Sequence, residues 1–168
     1  MQDDKDRLTQ LTSEQNMLLN RLMLKMVKFD AGDPKRIQHF VKVASLARTI
    51  GEAESLPARE LFTLTAAAIV HDIGIHPAIE KYGSSAGKLQ EQEGPAPARA
   101  MLRDLGFDVQ TVERVAFLVG HHTPTTPLTG STTGFWSRRT SWSTCTRTAA
   151  PGTPCSRHAR GSSRPGQA

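Results

Sequence analysis

Along the first 122 positions apolar residues recur every three to four residues, and each run is bracketed by residues that start or stop a helix. Leu18, Leu19, Leu22, Met26 and Val27 follow Thr12, which has Gln15 three residues on. That pairing lets side chain and backbone satisfy each other at a helix start. The spacing predicts a helix over residues 13 to 29. Asp33 before Pro34 marks a second start and Gly51 the matching stop. Between them Ile37, Phe40, Val41, Ala44 and Ala47 form one apolar face, while Val43, Leu46 and Ile50 form another beside His39. A helix of this kind is expected to pack on two sides.

Pro57 opens a third helix through Leu61, Leu64, Ala68 and Ile69, expected to end near Gly74 with His71 and Asp72 in its last turn. Residues 76 to 93, rich in glycine, serine and charge, read as loop. Gly94-Pro95 starts a fourth helix to about Leu105, with Gly106 as its stop. Asp108 caps a fifth, built on Val112, Val115, Ala116 and Val119, which ends at Gly120 just before His121 and His122. No stretch reads as a strand. The expected fold class is all-α, a bundle of about five helices.

The pattern stops at His122. Residues 123 to 168 contain 18 Ser or Thr and no Ile, Val, Lys, Met or Tyr. So little apolar surface cannot offset the entropy of ordering, so this tail is expected to be disordered and residues 1 to 122 to form the folded unit. The tail also carries six of the 21 basic residues and none of the 16 acidic ones. The net charge of +5 and the pI near 9.6 therefore belong to the tail, and the body is close to neutral. Specific nucleic-acid binding is a poor reading of a basic signal so placed. Cys145 and Cys155 lack CxxC spacing and give no zinc framework. No apolar run approaching about 18 residues is evident, and the N-terminus has no signal-peptide shape. A cytoplasmic protein without membrane contact is expected; the sequence does not address its oligomeric state.

Chemistry concentrates where the third helix ends. In "TAAAIVHDIGI" an imidazole and a carboxylate, His71 and Asp72, close a small apolar stretch that has no packing need for either. From a last turn both can converge on one ion beyond the helix end, where the partial negative charge of the C-terminus favours a cation. His39, on the preceding helix, is a third candidate, since an imidazole in apolar surroundings needs partners for its nitrogens. The pattern "RIQHFVKVASLA … AAAIVHDIGI", about thirty residues between its histidines, resembles the HD-domain superfamily of metal-dependent phosphohydrolases over residues 34 to 122.

The resemblance implies an all-helical fold that holds a divalent metal with a first His, the His-Asp pair and a later Asp. By position His39, His71 and Asp72 would be ligands. Imidazole and carboxylate suit Mn, Fe, Zn or Mg, and water on such an ion becomes a nucleophile near neutral pH. The substrate implied is a phosphorylated small molecule such as a nucleotide. Lys81 and Lys88 are candidates for neutralising phosphoryl oxygens beside the catalytic Asp72. Some family members bind a second metal through added histidines; here His121 is the first choice, ahead of His122 and His76. "GSSAGKL", residues 83 to 89, is no phosphate loop: its glycine spacing is one residue short, Leu89 stands where Ser or Thr is required, and no strand precedes it.

One ligand is missing, because no Asp or Glu follows Glu113. The codons for Thr129 to Thr148, read one base earlier, can encode D-G-I-D-Y-R-I-L-V-E-A-D-F-L-V-N-L-Y-E-D. That is an amphipathic helix resembling the family's last metal-binding segment, with an aspartate at the position of Thr140. The tail thus reads as out of frame. The function expected is a phosphohydrolase impaired by loss of this ligand; the alternative is a non-catalytic helical binding module with vestigial ligands.

Overall fold

The computed structural model describes residues 10–122, and the expectation of a disordered tail lies outside them. Among the described residues every regular element is a helix, as the all-α reading requires. The order is α1 Ser13–Phe29, α2 Pro34–Ala53, α3 Ala58–Val70, α4 Ile75–Tyr82, α5 Gly87–Glu93, α6 Pro95–Asp104 and α7 Val109–Val119.

The start signals act as written. The Gln15 N–H donates to Thr12 Oγ1 at 3.2 Å, and the Thr12 N–H donates to Gln15 Oε1 at 2.9 Å. Asp33 Oδ1 accepts from the Arg36 N–H, and Asp108 Oδ1 from the Thr111 N–H, both at 3.0 Å. Each satisfies a backbone donor that a first turn otherwise leaves bare. Gly106, at φ 86°, turns the chain after α6 in the left-handed region that glycine adopts without strain.

α3 is the centre of the bundle. All ten residues from Leu61 to Val70 are buried, and α1, α2 and α7 pack around it. By length and composition the continuous helical path Ala58–Tyr82 could cross a membrane, which corrects the expectation that no such run exists. Its burial inside the bundle is that of a core helix.

Three further expectations change. Residues 76 to 93 are not loop: they form most of α4 and all of α5. Their apolar content is low, with Ala78 the one buried residue of α4 and none in α5. The two helices are joined by polar contacts: Glu93 Oε1 accepts from Tyr82 Oη at 2.8 Å and from Lys81 Nζ at 3.0 Å. Gly51 is not a stop, since α2 runs on to Ala53. A Cβ there would lie 2.6 Å from Leu61 Cδ1, so this glycine lets α2 approach α3 closely. The second face of α2 is half-buried, with Val43 and Ile50 packed against the core, whereas Val41, expected on the buried face, is exposed.

Candidate metal centre

α3 ends at Val70, and the chain continues through His71 in a helical conformation (φ −56°, ψ −37°) into a tight turn that leads to α4. That turn aims His71 and Asp72 at α2, where His39 stands one turn after the capped start. Gly74 makes the turn possible. A Cβ there would sit 2.2 Å from the Gln90 carbonyl oxygen and 2.9 Å from the Gly94 nitrogen, so the turn lies directly on the junction of α5 and α6.

The Nε2 atoms of His39 and His71 are 3.2 Å apart. Asp72 Oδ2 is 3.4 Å from His39 Nε2, and its Oδ1 is 3.2 Å from His71 Nε2. One donor atom from each residue falls within 4.8 Å of the others. Adjacent donors on a single ion at about 2.0 to 2.2 Å keep separations of this size. The tautomer agrees: His71 Nδ1–H donates to the Ala68 carbonyl at 2.9 Å, leaving the lone pair on Nε2, the atom that faces the other two residues.

His122 borders the group, and His121 turns away from it. His122 is 6 % exposed, with Nε2 3.9 Å from Asp72 Oδ1 and its ring edge-on to His71 at 6.0 Å. Its Nδ1–H donates to the Val119 carbonyl at 2.6 Å, so its lone pair also faces inward. His121 turns away, bonding the Phe117 carbonyl at 2.8 Å and stacking on the Phe117 ring at 4.3 Å. The structure brings His122, rather than the first-choice His121, beside the group, and helical phase explains it. His122 follows Leu118 and Val119 on the buried face of α7, whereas His121 lies four residues after the exposed Phe117. That phase was present in the sequence.

Electrostatics match a cation site. Burial alone would raise the Asp72 carboxyl, but the imidazoles of His71, His39 and His122 outweigh it and hold the group well below the usual carboxylate range. Burial lowers the His122 imidazole below its ordinary value, against opposing pulls from the Val119 carbonyl, Asp72 and Glu91. Imidazoles with an ionised carboxylate are the donor set that divalent transition metals take. Glu91, whose charge reaches His122, was not foreseen.

The HD domain family matches residues 36–155, most of the chain, and all four of these residues lie within the match. The chain belongs to the HD domain family. The match runs past residue 122, beyond the unit expected from the helical pattern. No curated protein and no solved structure matches the chain. Of the other candidates in this HD domain, Lys81 is exposed and paired with Glu93, and Lys88 is exposed on α5. His76 contacts Asp30, not the ligand group.

Proposed function

We propose that the chain is a metal-dependent phosphohydrolase acting on a phosphoester of a small molecule such as a nucleotide. The observation that carries this reading is the convergence of His39, His71 and Asp72 donor atoms within 4.8 Å. A divalent ion held there supplies a water of lowered pKa and positive charge for the phosphoryl oxygens. The protein's part is to hold the lone pairs of His71 and His122 inward through the Ala68 and Val119 carbonyls and to keep Asp72 ionised. Lys81 and Lys88 remain the candidates for the phosphoryl oxygens; Lys81 faces Glu93, and Lys88 is exposed on α5.

A second reading is favoured by one fact: no acidic residue follows Glu113, so the later Asp of the family pattern has no counterpart in this chain. With that carboxylate gone the domain would bind its ligand without turnover. The alternative-frame helix, with an aspartate at the position of Thr140, accounts for the loss as a one-base change of frame near codons 119 to 128. Resequencing the coding DNA there checks this, and a neighbouring frame without a family-like helix would end the idea.

The functional test is direct. The metal-free chain is loaded separately with Mn²⁺, Fe²⁺, Zn²⁺ and Mg²⁺, passed through gel filtration, and assayed on nucleoside monophosphates and an aryl phosphate. Retained metal with phosphate release supports the hydrolase. No retention of any of the four ions, or retention without release, counts against the hydrolase and supports the binding module with vestigial ligands.

A further inference from the structure

α2 is the longest helix among the described residues, yet it lies at the edge of the bundle: α3 is its main neighbour, and α1 touches it lightly. Phe40, Ala44 and Ala47 form the face turned to the core. At about 100° per residue, His39, Val43, Leu46 and Ile50 fall along one flank, roughly a quarter-turn round from that face. All four are half-buried. Val43 and Ile50 reach the core only in part, and Leu46 stands between them. Lys35 and Lys42, both exposed, edge the flank on its outer side. A half-buried apolar stripe with a basic rim, beginning at a residue of the metal centre, is thus left at the border of the bundle.

Two observations name what fits it. The first is where the described chain ends. His122 Nε2 is 3.9 Å from Asp72 Oδ1, and Asp72 Oδ2 is 3.4 Å from His39 Nε2, so the chain leaves beside the His39 end of the flank. The family match continues from there to residue 155. The flank itself is roughly 16 Å long at about 1.5 Å per residue, the length of a helix of three turns. The second observation is charge. α2 carries Lys35, Arg36, Lys42 and Arg48 against Glu52, so a second copy's α2 would bring basic surface to basic surface. Residues 129 to 148 as written add Arg138, Arg139 and Arg147 and no acid. The alternative reading of the same codons is acidic, with a single arginine. Its aspartate at the position of Thr140 has apolar residues three and four positions before it and three after it, which is one stripe of a helix.

We propose that the His39 flank of α2 is a docking surface for an acidic amphipathic helix, and that its occupant is the alternative-frame segment of residues 129 to 148. The inference rests on the alternative-frame reading and not on the hydrolase reading. Docked there, the apolar stripe of the segment covers Val43, Leu46 and Ile50, and its acidic residues meet Lys35 and Lys42. Apolar contact supplies the affinity, and the charges fix which helix is accepted. Because no acidic residue follows Glu113 in the sequence as written, the surface is expected to accept the segment as a separate peptide.

The probe is the alternative-frame peptide itself, labelled with fluorescein and titrated with the full 168-residue chain, no metal added, and read by fluorescence anisotropy. A Kd on the order of 10 µM is expected. Leu46→Glu and Lys42→Glu should each weaken it about tenfold or more. Lys42 is exposed, so its replacement keeps the test open if Leu46→Glu fails to fold. Val41→Glu places the same charge at an exposed position on the opposite side of α2 and should change the Kd less than about threefold. No binding to the wild-type chain, equal Kd for the wild type and the Leu46 and Lys42 variants, or loss with Val41→Glu alone overturns the proposal. A chain that sediments as a dimer, is made monomeric by Leu46→Glu and refuses the peptide would seat a second copy there and overturn it as well. None of these outcomes bears on the hydrolase reading, which stands or falls on metal retention and phosphate release.

Discussion

His39 and His71 are 32 residues apart in the chain and 3.2 Å apart at their Nε2 atoms. The Ala68 carbonyl commits the His71 ring to a lone pair on that nitrogen. Without a cation, two nitrogens this close need a proton between them. With one, both lone pairs and an Asp72 oxygen can face the same charge. The contact between α2 and the end of α3 is thus where folding and metal binding are coupled.

The phase of α7 makes His121 and His122 separable by mutation. His71→Ala and Asp72→Ala are expected to abolish metal retention, and His122→Ala to weaken it about 10- to 100-fold. His121→Ala should retain the wild-type content, since that ring stacks on Phe117. Metal content after gel filtration measures all four. Loss with His121→Ala and retention with His122→Ala would reverse the assignment.

Gly74→Ala tests the turn that carries the ligands. The new methyl would meet the Gln90 carbonyl oxygen at 2.2 Å, and backbone cannot swing aside as a flexible side chain can. The expected cost is about 1 to 3 kcal/mol, read from urea unfolding, together with weaker metal retention because His71 and Asp72 shift with the turn. Stability lost with metal affinity unchanged would mean the turn does not position the pair.

Helix starts were legible because they depend on local chemistry: Thr12, Asp33 and Asp108 each cap the helix assigned to them. His39, His71 and Asp72 were legible because they interrupt apolar stretches. α4 was missed although Ile75, Ala78, Ile79 and Tyr82 recur at helical spacing and Gly83 closes it; α5 had no such signal, and contacts of Lys81 and Tyr82 with Glu93 join the two. Gly51 was misread because a glycine that ends a helix and one that admits a neighbour look alike until Leu61 is placed. The Asp30–His76 pair spans two distant segments, and nothing local joins them.

Acid should destabilise the metal-free protein through His122. Burial holds this imidazole below its ordinary value, so on acidification the unfolded chain takes up the proton first, from about pH 6.5 downward. Stability is full above that value and falls below it. Asp72 works at lower pH: its depressed carboxyl contributes above about 3.8 and is unaffected in this window. Melting temperature from about pH 7.5 to about pH 5.5 should therefore decline, and His122→Gln should flatten the decline. An equal slope in the variant would assign the acid sensitivity elsewhere.

Replacing residues 129 to 148 by the alternative-frame segment should change stability and chemistry together. The alternative reading supplies about six apolar residues in helical phase, each contributing roughly 1.5 to 3 kcal/mol when buried. Their sum is comparable to the roughly 5 to 15 kcal/mol that holds a whole domain folded. It also returns an aspartate at the position of Thr140, the carboxylate that the 168-residue sequence lacks beyond Glu113. A second carboxylate beside His39, His71 and Asp72 would hold a dication more tightly by charge as well as by number of donors. The in-frame chain is expected to melt at a clearly higher temperature, to keep a divalent metal through gel filtration, and to hydrolyse a phosphoester that the present chain cleaves weakly or not at all. Both versions would be measured side by side for melting temperature, metal content and turnover. Identical values for all three would show that the tail is irrelevant to the centre and that the three residues brought together by α2 and α3 suffice on their own.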